Sequence, residues 1–157
     1  MKFQREERIV MRLREELPEL EGATMWLNSA PLTRGDLIGS KPLLLYFWSI
    51  SCESCKKMMP QMNQLYEEYD DQLNILSVHM PRSEDDVNIE QIQETALEHE
   101  LKHPIFVDNE HQLTDKFRNH YVPSFYIFDK QGRLRYRHTG EGGRSMLTRR
   151  LNRLMND

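Results

Sequence analysis

From Pro42 to Trp48 the chain reads PLLLYFW, an apolar run with no polar alternation. Such a run suits a central β-strand covered on both faces, since a half-exposed strand would alternate. Directly after it the period changes. Cys55, Met58, Met62, Leu65 and Tyr69 recur at helical spacing between Ser51 and about Gln72, which predicts a helix with one apolar face. Pro60 falls inside that helix and predicts a kink, because it has no N–H to donate and its ring crowds the preceding turn.

Leu73 to His79 (LNILSVH) predicts a second strand, and Pro81 to Asp86 (PRSEDD) a polar loop. A helix is expected from Ile89 to Leu101, with Ile92, Ala96 and His99 inward. Ile105-Phe-Val107 predicts a third strand, and Leu113 with Phe117 marks another helical stretch between Glu110 and His120. Ser124 to Phe128, the turn Asp129-Lys-Gln-Gly132 and Leu134 to His138 read as a β-hairpin. Met146 to Met155 closes the chain as a helix, with Leu147, Leu151 and Leu154 inward and Arg149, Arg150 and Arg153 outward. These arginines sit near the helix C-terminus, where the macrodipole favours cations.

The order β-α-β-α-β-α-β-β-α follows an irregular N-terminal arm. It implies an α/β protein whose mixed sheet carries helices on both faces. No repeat, low-complexity tract or Gly/Ser-rich linker divides the chain. The expected organisation is an N-terminal extension over residues 1–16 and one domain over 17–157. No helix reads as an uncovered apolar seam, so a monomer is expected.

A chain of 157 residues can bury roughly 70% of its unfolded surface and needs no disulfide or metal to fold. A formal net charge of −4 and a pI near 5.9 exclude a strong electrostatic draw toward nucleic acid or anionic membrane. The first twenty residues mix basic and acidic side chains without the apolar run of a signal peptide, and no later segment is long enough to span a bilayer. The expected location is the cytoplasm, where thiols stay reduced and a structural disulfide is disfavoured. Met11 could serve as an alternative start to Met1.

Against that background the two cysteines stand out. Cys52 and Cys55 are the only ones in the chain, in the stretch FWSISCESCKK from Phe47 to Lys57. They lie where the central strand turns into a helix. A cysteine at a helix N-terminus faces unpaired N–H groups that stabilise a thiolate. Cys55, one turn along the same face, can meet it. Cys52 is therefore the candidate attacking thiolate and Cys55, expected to be more buried, the candidate resolving thiol. Lys56 and Lys57 add positive charge nearby, and Glu53 opposes it.

The flanking residues carry a family resemblance. Trp48 lies four residues before Cys52, Lys56 follows Cys55, Pro60 falls five residues after it, and Tyr121-Val-Pro-Ser-Phe125 precedes the first hairpin strand. In these features the chain resembles the thioredoxin superfamily. The arm and the insertion from PRSEDD to about Leu101 are similar to its redoxin-type branch, the TlpA- and ResA-like bacterial thiol–disulfide oxidoreductases. FWSISC, VHMPRSEDD and PIFVD look closest to a cytosolic type within it. The resemblance implies that Pro123 is a cis-proline beside the dithiol and that Val122 offers backbone groups to a docking partner. It also implies an exposed Trp48 packed beside Cys52 that shapes the docking surface. No organic cofactor or metal is needed, since the dithiol carries the electrons. The implied partners are disulfide-containing proteins and an electron-donor protein or reductase.

The sequence departs from the family at known points. Tyr46 and Met58 stand where many members carry an acid that helps move the second thiol's proton, and Ser51 and Ser54 replace the usual aromatic and proline around the first cysteine. Three other readings compete. A copper chaperone of this fold would use the cysteine pair with a distant histidine, His79 or His120, although zinc wants four ligands and the pair supplies two. A peroxidase would find Ser49 fitting but Leu45 where it needs a proline. A non-catalytic adaptor could use Met58, Met59, Met62 and Met80 as an adaptable surface, yet the spacing of Met58 and Met62 with Leu65 points to ordinary core.

Overall fold

The computed structural model describes residues 10–156. Its elements are β1 (Met25–Leu27), α1 (Arg34–Leu37), β2 (Leu43–Trp48), α2 (Glu53–Tyr69), β3 (Asn74–His79), α3 (Ile89–Glu98), β4 (Ile105–Val107), α4 (Gln112–Phe117), β5 (Ser124–Phe128), β6 (Leu134–Thr139) and α5 (Arg144–Met155). The strands form one six-stranded sheet in the order β1-β4-β3-β2-β5-β6. β2 is parallel to β3 and antiparallel to β5, so the sheet is mixed as expected.

Strand periodicity sorts the apolar run of β2 onto two faces. Leu44, Tyr46 and Trp48 join one core with Met58, Met59, Met62 and Leu65 of α2, Ile92 and Ala96 of α3, and Leu147 and Leu151 of α5. Leu43, Leu45 and Phe47 join the other core with Leu37, Leu113 and Phe117. Phe117 is fully buried, with ring centroids 5.2 Å from Phe47 and 4.9 Å from Tyr126. Phe117→Ala therefore leaves a cavity bounded by rings that cannot collapse into it. The expected cost is about 3–5 kcal/mol, read as a lower urea midpoint.

Four expectations need correction. The arm is not irregular throughout, since β1 adds an antiparallel edge to β4 and Thr33 begins α1. There Thr33 and Asp36 form a reciprocal capping box, which holds a helix of only four residues. The helix expected from Ser51 starts at Glu53, with Cys52 as its N-cap. The helix expected to reach Leu101 stops at Glu98, so His99 caps it half-buried instead of facing the core.

Residues 10–16 lie within the region expected as an N-terminal extension. Arg14 N–H donates to the Leu134 carbonyl at 2.8 Å, and the adjoining Leu17 N–H to the Gly132 carbonyl at 2.7 Å. Met11 is buried in the second core. The four methionines considered as a binding surface, Met58, Met59, Met62 and Met80, are all buried.

Candidate active site

The site begins with a backbone transition. Cys52 has extended φ and ψ of −99° and 103° and caps α2, and its Sγ accepts the Cys55 N–H at 3.1 Å. The same N–H would stabilise a thiolate there more strongly than a neutral thiol. Cys52 and Cys55 form a disulfide with Cα atoms 5.3 Å apart. Both are 3% exposed, so the expectation that Cys55 is the more buried is corrected. The cap distinguishes them, not depth. Lys56 pairs with Glu53 at 3.4 Å, which spends much of the nearby positive charge.

Trp48 also needs correction. It is fully buried, because it ends a strand covered on both faces and its Nε1–H donates to Ser77 Oγ at 3.0 Å. It shares the core with both cysteines and lies beneath the site, without presenting an exposed surface. Tyr46, in the position of the family's acid, is buried with its hydroxyl 3.1 Å from His103 Nε2. Burial holds the phenol above its ordinary pKa, so it stays protonated. Met58 supplies no acid either and lies in the core.

The loop entering Cys52 is held from the end of β3 and the connection that follows it. Ile50 N–H donates to His79 Nε2 at 3.1 Å, and Ser51 Oγ donates to Asp86 Oδ2 at 2.8 Å. Arg82 reaches the Ser51 hydroxyl through Nε at 3.0 Å and the Ser51 carbonyl through Nη2. His79 is fully buried against the Trp48 ring, with centroids 4.9 Å apart. Burial lowers its pKa to about 4, although the Asp86 charge pulls the other way. His120, the other histidine considered near the dithiol, is exposed.

The second wall is the loop before β5. The Val122–Pro123 peptide bond is cis. Pairing of Phe47 with Ser124 places Pro123 at the same sheet end as Trp48 and the dithiol, and Val122 packs against the core containing both cysteines. Asn119 Nδ2 and Ser124 Oγ donate to the Tyr121 carbonyl at 2.9 and 2.7 Å, leaving the Tyr121 side chain 68% exposed. Asn119 is fixed in turn by the Tyr126 hydroxyl at 2.7 Å.

The model of the Thioredoxin-like family matches residues 39–134. This chain belongs to the thioredoxin-like family. It is 54% identical over 145 residues to thiol-disulfide oxidoreductase YkuV of Bacillus subtilis, covering 92% of this chain and 97% of that one. A solution structure of a thioredoxin-like protein in the oxidized form superposes with a TM-score of 0.84 at 53% identity, covering 93% of this chain and 98% of that one. ResA of Geobacillus thermodenitrificans is 32% identical over 101 residues, covering 64% of this chain and 55% of that one. With its CxxC pair disulfide-bonded at the strand–helix junction, this thioredoxin-like protein is a thiol–disulfide oxidoreductase.

Among the described residues no group of three or more His, Cys, Asp or Glu side chains is placed to hold a metal ion. The chaperone reading is not favoured beside the likeness to a thiol-disulfide oxidoreductase over most of the chain. No helix among those residues is long and apolar enough to cross a membrane.

Sequence reasoning brought His79 near the dithiol only as a metal ligand, and missed Arg82, Asp86 and Asn119 as parts of the site's frame. Only Asp86 had a partial signal. It sits in the acidic run Glu84-Asp-Asp86, whose three carboxylates look alike until folding buries one of them.

Proposed function

We propose that this oxidoreductase works as a monomeric cytoplasmic reductant of protein disulfides. The Cys52 thiolate attacks one sulfur of a substrate disulfide. That S–S bond breaks, a mixed disulfide forms, and the departing sulfur takes up a proton. Cys55, losing its own proton, then attacks Cys52 Sγ, forms the Cys52–Cys55 bond and releases the second substrate sulfur, which is protonated. Two electrons pass from the dithiol to the substrate. An electron-donor protein or reductase returns them.

The observation that carries this reading is the Cys52 sulfur seated as the N-cap of α2 and accepting the Cys55 N–H. Apart from Lys57, the charges around it are balanced, which supports a reductant. Glu53 offsets Lys56, and Asp86 offsets Arg82 at the shared Ser51. A strongly oxidising pair would instead keep its thiolate under uncompensated positive charge. Val122 and Pro123 form the docking edge for an extended substrate backbone, with Trp48 as the floor beneath the dithiol.

A redox titration of the pair against glutathione tests the direction. The expected potential is about −250 mV or lower, in the range of reducing dithiols. A value near about −150 mV would make the protein an oxidant or isomerase and end the reductant reading.

A further inference from the structure

Cys52 caps α2 in extended conformation, its N–H donating to the Ser49 carbonyl at 3.1 Å and its carbonyl accepting the Lys56 N–H at 3.3 Å. The hold on the preceding residue comes from across the chain. A single oxygen of Asp86 accepts both the Ser51 hydroxyl at 2.8 Å and the Arg82 backbone N–H at 2.9 Å. The Arg82 guanidinium closes the ring by donating back to the Ser51 hydroxyl and carbonyl. One residue earlier, His79 accepts the Ile50 N–H.

The burial is lopsided. Asp86 is 2% exposed while Ser51 is exposed. A buried carboxylate is costly unless bonded, whereas an exposed serine hydroxyl is satisfied by water at no cost. Joining these two helps satisfy the buried carboxylate and at the same time ties the residue before Cys52 to the opposite segment. The join gives a rigid approach to Cys52.

We propose that Asp86 and Arg82 are positioning residues that hold Ser51, and through it the Cys52 sulfur, in line with the Cys55 N–H while the dithiol is reduced. This rests on the thiol–disulfide activity and on Cys52 being the attacking sulfur. The charged and titratable groups on the segments around that sulfur are Glu53, Lys56 and Lys57 on its own helix and His79, Arg82 and Asp86 on the opposite segment, with His120 preceding the cis-proline loop.

Asp86 acts on Cys52 in two ways of opposite sign. Its negative charge disfavours a neighbouring thiolate, and its grip on Ser51 favours the thiolate by preserving the N–H bond. Asp86→Asn removes the charge and keeps an oxygen acceptor of the same shape. Asp86→Ala removes both.

The test is the pH dependence of iodoacetamide alkylation at Cys52 in the reduced full-length chain, located by mass spectrometry. Asp86→Ala is expected to raise the midpoint by about one pH unit, which slows alkylation about tenfold at a pH below it. Asp86→Asn is expected to leave the midpoint in place or lower it. Ser51→Ala is expected to raise it, and adding Asp86→Ala to that variant should produce little further rise. A shared downward shift in Asp86→Ala and Asp86→Asn would mean that the carboxylate acts as a charge alone and would overturn the proposal, as would an unmoved midpoint in Asp86→Ala. Should Asp86→Ala lose its thermal unfolding transition, Ser51→Ala decides, because its side chain is at the surface. Failure of the underlying activity shows separately, as a wild-type Cys52–Cys55 pair that does not exchange with glutathione.

Discussion

Cys52→Ser abolishes reduction of a protein disulfide such as that of insulin, and no covalent adduct can be trapped. Cys55→Ser also stops turnover but accumulates a mixed disulfide through Cys52. The asymmetry follows from the cap. The two residues are equally buried, so depth does not separate them and the difference lies in which sulfur receives an N–H. Cys52 Sγ accepts the Cys55 N–H, while Cys55 sits inside the first turn of α2. A thiolate that accepts a backbone hydrogen bond at a helix N-terminus forms at a lower pH than one that does not. Non-reducing mass spectrometry of each variant with substrate reads the result directly. Adducts on Cys55 in the Cys52→Ser chain would reverse the assignment.

Acid should weaken the fold well before the carboxylates titrate. His79 and His103 are fully buried, and burial lowers their pKa values to about 4 and about 3. An unfolded histidine titrates near 6.5. Between about pH 6.5 and pH 4 the unfolded chain therefore binds more protons than the native one, and stability falls as pH falls. By pH 5 each histidine costs roughly 2 kcal/mol relative to neutral pH. The two losses differ in place. Protonating His79 Nε2 removes the acceptor of Ile50 N–H and loosens the loop before Cys52. Protonating His103 puts a charge beside the Tyr46 hydroxyl, deep in the core. Urea midpoints at pH 7 and pH 5 should separate for the wild type and converge for a His79→Gln, His103→Gln double variant. Equal midpoints in the wild type would refute it.

The sheet and the dithiol were legible because they rest on local patterns. PLLLYFW has the composition of a strand covered twice, and the step from that run into helical spacing at Cys55 locates the cap within a residue or two. The frame around the dithiol was not legible, since the bonds that tie it to the cysteine strand join residues distant in sequence. Ser51 meets Asp86, Ile50 meets His79, and Tyr46 meets His103. Nothing in a serine or a tyrosine announces its partner. Trp48 was misplaced for a related reason. The family pattern marks it as part of the site, but its depth depends on Ser77, which enters only when β3 pairs beside β2. β1 escaped notice because three residues carry too little alternation to detect.

The pairing of β2 has a consequence for how the molecule is made. Leu43 of β2 lies beside Phe128 of β5, so the central strand receives one of its two neighbours only after most of the chain exists. During synthesis Cys52 and Cys55 emerge long before the cis-proline loop that walls the site. A chain cut short before Tyr121 would carry a dithiol without the cis-proline loop, together with an open apolar strand edge. Such a fragment would combine indiscriminate thiol reactivity with a tendency to self-associate. Under the docking role proposed for Val122 and Pro123, selectivity is thus acquired late, long after reactivity.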